Sequence, residues 1–425
     1  MDKRRRLLEI GKDVLILLLA ASAVYLLTMT PLVQDSGVRD LLRPRQEDPQ
    51  GSSSVTLSAA ARPSRMAVTF PAGRYGLQYD QTAVDELFAR LGPLLGEALT
   101  SAGDPAAIDE ARWRQNLTTV NLYFDFSGQV PLSALGTWLN AEGRCALPGS
   151  ARRILLCEGT GDSVLLCWED SGSGQFFSCS TGLTASLHLS PALQDLSDNG
   201  ARFAFESDVY TGLLDPYTFI TDQQGSEIYT ASNPLSAGEA LTALLNTLDF
   251  TGRNHASVSG GERYLDGNDR LLVQNNGTVI YAAAEPGKYP VPSAGDSPTV
   301  AEAIEAAREL TERTIGASCG AAQLYLNTAL SAEGGWLIRF GYRLNGSTVW
   351  LYEDGWASEV WVRSGCITDF TLHFRSYAAS GEKALLLPMD RAAVMLPSLG
   401  QEGRELVIRY QDAGESAARP VWVAQ

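Results

Sequence analysis

Residues 14–34, from Val14 through Leu17, Ala20, Ala21, Val24 and Tyr25 to Gln34, carry no charged side chain and are almost all apolar. At about 1.5 Å rise per residue, about 20 such residues span the roughly 30 Å hydrocarbon core of a bilayer as one helix. Lys3, Arg4, Arg5, Arg6 and Lys12 all precede the run. Basic clusters of this kind stay on the cytoplasmic side, so the pattern predicts a cytoplasmic tail (1–13), a transmembrane helix (14–34) and an extracytoplasmic remainder at the cell membrane. A cleavable signal peptide competes with this reading, because Ala21-Ser22-Ala23 resembles a small-residue cleavage site. Cutting there leaves only Val14 to Ala20 as apolar core while hydrophobic sequence continues to Met29, which favours an uncleaved anchor.

The chain has 33 Lys and Arg against 49 Asp and Glu, a formal charge of −16. Five of those basic residues sit in the tail, so the outer part is more acidic still, and binding to nucleic acid by charge is excluded. Hydrophobic residues at 45% and charged residues at 19% describe a folded ectodomain, not a disordered one.

Residues 35–65, rich in Pro, Gly, Ser, Arg and Ala without a sustained period, read as a juxtamembrane spacer. An N-terminal α+β segment (66–200) opens with a strand at Ala67–Phe70. A helix follows over about 82–99, with Val84, Leu87, Phe88, Leu91 and Leu95 in one stripe. Asp104-Pro105 reads as a second helix start leading toward Trp113. A middle module (201–295) and a C-terminal module (296–425) then share a plan. Ser236/Glu239 and Thr299/Glu302 form capping-box patterns before amphipathic helices, and Asn276-Gly277 and Asn345-Gly346 mark two-residue hairpin turns in the strands that follow. The expected class is α+β: a single N-terminal transmembrane helix followed by tandem modules of a helix packed on an antiparallel sheet.

The six cysteines include no C-x-x-C pair, which speaks against a zinc ribbon or a thioredoxin-type site. Cys157 and Cys167 flank one turn symmetrically, and Cys167 and Cys179 flank the next. A meander would therefore place the three sulfurs on one face and allow one cross-strand bridge among them, with buried free thiols the alternative. The three histidines, His188, His255 and His373, fall in different segments, and neither H-E-x-x-H nor G-x-S-x-G occurs. Ser380-Gly-Glu-Lys383 and Ser197-Asp-Asn199 match two penicillin-binding signatures in the wrong order without the third, K-T-G, and are read as chance. No catalytic, cofactor or metal constellation emerges, and the chain is read as a non-enzyme. Trp350 and Trp356, flanking the Glu353-Asp-Gly355 turn, are the candidate ectodomain contact residues, against a bland alternative in which they fill the core.

The basic N-terminus, single anchor, spacer and helix-plus-sheet modules resemble the YycH/YycI proteins of Gram-positive bacteria. The likeness lies in residues 235–425: the helix end Leu245-Asn-Thr-Leu-Asp-Phe250, the strands around Tyr264 and Tyr281, the Gly341-Tyr342 and Asn345-Gly346 hairpin, and Arg419-Pro-Val-Trp422. The last also resembles PepSY-like modules. The resemblance implies a membrane-bound regulator of the sensor histidine kinase of a two-component system in cell-wall homeostasis, acting by contact, possessing no cofactor, and with a paralogous regulator as a further partner. It implies a transmembrane contact face, for which Leu17, Ala20, Ala21, Val24 and Tyr25 are the candidates, with plain lipid exposure the alternative. The rival reading is a PepSY-like extracytoplasmic binding or inhibitor module that captures a peptide, a protease or a cell-wall ligand.

Overall fold

The computed structural model describes residues 59–139, 144–194, 196–220, 227–293, 295, 297–332, 334–352 and 354–425. The apolar run, with Leu17, Ala20, Ala21, Val24 and Tyr25, lies outside the described residues. Among those described, no helix is long and apolar enough to cross a membrane.

The N-terminal part is a seven-stranded antiparallel sheet in the spatial order Arg74–Gln78, Arg65–Phe70, Asn121–Pro131, Ser150–Glu158, Ser163–Asp170, Phe176–Thr184, Ala106–Ile108. Strand side chains alternate between faces, so Leu122, Phe124, Ile154 and Leu156 join one core and Tyr123, Leu155 and Cys157 another. The first core holds the helix Gln81–Thr100, capped by the Asp80 carboxylate, which accepts from the Ala83 amide at 3.2 Å. All five predicted stripe residues of this helix are buried. The second core holds the helix Glu110–Thr118 through Trp113 and Leu117. That helix starts later than Asp104-Pro105 suggests: Ala106–Ile108 pairs with Phe176–Ser178 as an edge strand, and Asp109 is the cap, accepting from the Arg112 amide at 2.7 Å.

Arg202–Phe203 and Phe219–Ile220 form a small two-stranded sheet on the second core, and the later strands build a fourteen-stranded sheet. Thr278–Ala282 pairs with Cys366–His373, and Glu227–Ser232 lies between Ser376–Lys383 and Ala417–Ala424. The α+β class therefore holds, with the two helix-plus-sheet copies running into one continuous sheet. The Thr299/Glu302 capping box forms as read. The Ser236/Glu239 box does not. Pro234 opens a 3-10 turn capped by Asn233, the Ser236 hydroxyl donates to the Asn233 carbonyl, and the helix Gly238–Thr247 has no side-chain cap. Asn345-Gly346 makes a two-residue turn with both φ positive, +42° and +78°. At Asn276-Gly277 the register Val273↔Val279 gives a longer loop, with Gly277 at φ +91°. A side chain at Gly277 would collide with the Phe374 carbonyl.

The two sheets meet through specific contacts. Gly128 lies so close to the carbonyls of Leu326 and Asn327 that no Cβ fits there. The Trp138 indole N–H donates to Glu305 on the helix Val300–Arg313 at 2.9 Å. The Asn345-Gly346 tip docks on the N-terminal part: the Gln81 amide donates to the Asn345 side chain at 2.9 Å, and Gly346 faces the carbonyls of Tyr79 and Ser64.

Candidate functional site

Where the docked hairpin leaves the N-terminal sheet, a cleft with a volume of about 250 Å³ opens. The start of Arg65–Phe70, the strand Ser150–Glu158, the strand Gln323–Ala332, the hairpin strand Ser347–Leu351 and the strand Leu406–Asp412 form its walls. Along Ser347–Leu351, Val349 and Leu351 point into the core, so Thr348 and Trp350 share the outer face. Along Leu406–Asp412 the same alternation turns Val407 and Arg409 outward. The two strands run parallel, with Trp350 opposite Gln411.

One wall of the cleft, where Arg65 and Arg152 line it, carries a largely buried ionic network. Asp125 and the pair Arg152-Arg153 sit at irregularities in the register of neighbouring strands. Consecutive strand residues ordinarily face opposite ways, and such a bulge re-aims one of them. Both arginines consequently reach Glu405: Arg152 at 2.7 Å and Arg153 at 3.1 Å. Arg65 reaches the same carboxylate at 2.7 Å and also pairs with Asp125, which accepts from Arg152 Nε at 2.9 Å. Reciprocal backbone hydrogen bonds with Gln425, 3.0 Å each, hold Glu405 in place. Burial acts to raise the Glu405 pKa, but Arg152, Arg65 and Arg153 outweigh it and hold the carboxyl well below the usual carboxylate range. For Arg65 burial acts downward, and Asp125 and Glu405 overcome it.

Arg409 stands apart. Its Nη2 donates to the Gln425 side chain at 2.8 Å, and its guanidinium lies over the Trp350 ring at 5.1 Å. It pairs with no carboxylate among the described residues, and burial lowers its pKa, the neighbouring Arg152 adding to the effect. Trp350 is held between that guanidinium and Gly355, where an added Cβ would come within 3.0 Å of the ring, and it remains 42% exposed. The Ser127 hydroxyl, on the cleft wall, is buried and makes no hydrogen bond among the described residues.

Of the residues singled out in the sequence, Trp350 lies in this cleft. Trp356 does not: its ring packs against His373 at 4.9 Å. Cys157 and Cys167 are free thiols on one face of the N-terminal sheet with their sulfurs 3.9 Å apart. The register pairs Cys179 with Leu166, not with Cys167, which turns it to the opposite face. Arg65, Asp125, Arg152, Arg153, Glu405 and Arg409 escaped sequence reasoning. The one available signal was Arg152-Arg153, two adjacent cations directly before the apolar run Ile154-Leu155-Leu156-Cys157 of an acidic chain.

An antiparallel sheet and a larger sheet with one parallel pair, joined across a charged cleft and with helices packed on them, define a mixed α+β protein. No family model matches the chain, and no curated protein matches it. Among solved structures the chain is similar to YycH from Bacillus subtilis, at a TM-score of 0.56 and 14% identity, over 87% of this chain and 94% of that one. At that identity the likeness is one of fold: the chain has a YycH-like fold.

Proposed function

We propose that the chain is a non-enzymatic, membrane-anchored extracytoplasmic regulator that biases a sensor histidine kinase of a two-component system by direct contact. The observation that carries the reading is the YycH-like fold along 87% of the chain, coupled with the basic-then-apolar pattern of residues 1–34. Regulation of this kind needs only a different contact free energy with the two signalling states of the kinase, and 1–3 kcal/mol of coupling is typical. Inside lipid the difference arises from close packing at small residues, which places Ala20 and Ala21, with Leu17, Val24 and Tyr25, at the contact. Trp350 is the ectodomain candidate, and a paralogous regulator would bind alongside.

The test is in-membrane crosslinking to the host's sensor kinase, with the native anchor and with residues 14–33 replaced by an unrelated span. Association lost on replacement supports regulation through the anchor. Association with neither version refutes the reading and favours the rival, a PepSY-like binding or inhibitor module, whose activity a released ectodomain would retain.

A further inference from the structure

We infer that the cleft is a binding site for a small organic oxyanion, held through its charged end by Arg409. This inference stands whether or not the chain regulates a kinase. The network on the cleft wall already satisfies its own charges, because Asp125 and Glu405, with Glu169 and Asp215 on Arg153, take up Arg65, Arg152 and Arg153. Arg409 is different. It is half-buried and fixed by Trp350 and Gln425, it carries five N–H donors of which one meets Gln425, and it faces no carboxylate among the described residues. A guanidinium so placed carries the cost of desolvation without the return of an ion pair, and an incoming carboxylate or phosphate supplies that pair in bidentate form.

The surroundings set the rest of the ligand. The Ser127 hydroxyl, unpartnered among the described residues, and Asn327, whose amide donates to the Tyr325 hydroxyl at 3.2 Å, add polar groups to the lining, and Leu77, Phe219 and Trp350 add apolar surface. A volume of about 250 Å³ lies just below the usual range of small-molecule sites, so the occupant is a small molecule and not a polymer. The setting also gives selectivity. In a chain of charge −16, anions are repelled from most of the surface, so a cationic recess is a local exception.

The test is calorimetric titration of the full-length chain in detergent with two probes that share a ring and differ in the oxyanion, benzoate and phenyl phosphate. Either one is expected to bind, and the tighter of the two tells whether the natural ligand presents a carboxylate or a phosphate. Arg409→Gln should weaken binding about tenfold or more, whereas Arg363→Gln should leave it unchanged. Arg363 is an informative control, since it also lies over a tryptophan, Trp361 at 4.0 Å, but outside the cleft. Thr348→Trp, which fills the cleft from the outer face of its strand and leaves Arg409 in place, should abolish binding and serves if Arg409→Gln does not fold. Absence of binding by both probes, or equal loss in Arg409→Gln and Arg363→Gln, or undiminished binding in Thr348→Trp, overturns the inference.

Discussion

Arg375 and Asp412 form a bidentate ion pair, Nε to Oδ2 and Nη2 to Oδ1 at 2.8 Å each, with side chains only 4% and 0% exposed. The Tyr377 hydroxyl donates to the same carboxylate at 2.8 Å. The pair ties the end of the strand Leu406–Asp412 to the turn before Ser376–Lys383. Removing one partner leaves the other charge buried and unpaired, so Asp412→Ala is expected to lose about 3–5 kcal/mol in urea unfolding. A loss below about 1 kcal/mol would mean that water reaches the guanidinium.

His373 gives a pH dependence. Burial pushes its pKa down to about 4, against a weaker upward pull from Asp354, while the unfolded chain titrates near its ordinary value of about 6.5. Between those values the unfolded state binds more protons, so stability is full above about pH 6.5 and falls as the pH drops toward 4, by up to roughly 3 kcal/mol. His373→Phe should flatten this part of the curve, read as urea midpoints at pH 7 and pH 5.

Glu405 acts at lower pH. Its folded value lies well below an unfolded value of about 4.3, so the stability it contributes is present above that pH and is lost as the pH falls through the folded value. Glu405→Gln leaves three arginines facing one fewer anion, and a destabilisation of about 3 kcal/mol is expected at pH 7. Melting curves of the variant should lose less between pH 5 and pH 3 than those of the unaltered chain.

Gly346 sits at φ +78°, and a Cβ there would stand 2.8 Å from the Tyr79 carbonyl. Gly346→Ala combines backbone strain with this clash, and a cost of about 1–3 kcal/mol is expected. Because the clash falls where the hairpin docks, hydrogen exchange should rise at the Gln81 amide before it rises in the sheets.

Cys157 and Cys167 lie diagonally across neighbouring strands, Cys157 opposite Leu165 and Cys167 opposite Leu155, yet their sulfurs are 3.9 Å apart. Under an added thiol oxidant, peptide mapping should find a bridge between them, and none that includes Cys179, which lies across the sheet. A Cys179 bridge would mean that the register differs from the one described.

Much of the local structure was legible because its causes are local. Thr299 and Glu302 are three residues apart and cap each other; Asn345 and Gly346 tolerate the positive φ that a two-residue turn demands. Ser236 matched the same capping pattern, but Pro234 and Asn233, just before it, had already set a different turn. The cysteine meander shows how small a slip matters: pairing Cys179 with Leu166 instead of Cys167 moves one sulfur to the other core. The cleft was illegible for another reason. Arg65 and Glu405 lie 340 residues apart, and only strand order brings them within 2.7 Å. Arg409 in an alternating strand looks like any solvated cation until the neighbouring strand supplies Trp350.

The dependence of Arg65, Arg152 and Arg153 on Glu405 has a consequence for the order in which the chain is made. A ribosome delivers the three arginines some 250 residues or more before the carboxylate that satisfies them. Until then Arg65 and Arg152 share Asp125 alone, while Arg153 has Glu169 and Asp215. The stretch from Glu405 to Gln425 thus acts as a latch for the N-terminal sheet. Nascent chains halted before residue 405 would hold a provisional N-terminal sheet, open to proteases and chaperones, that matures only once Glu405 has been made.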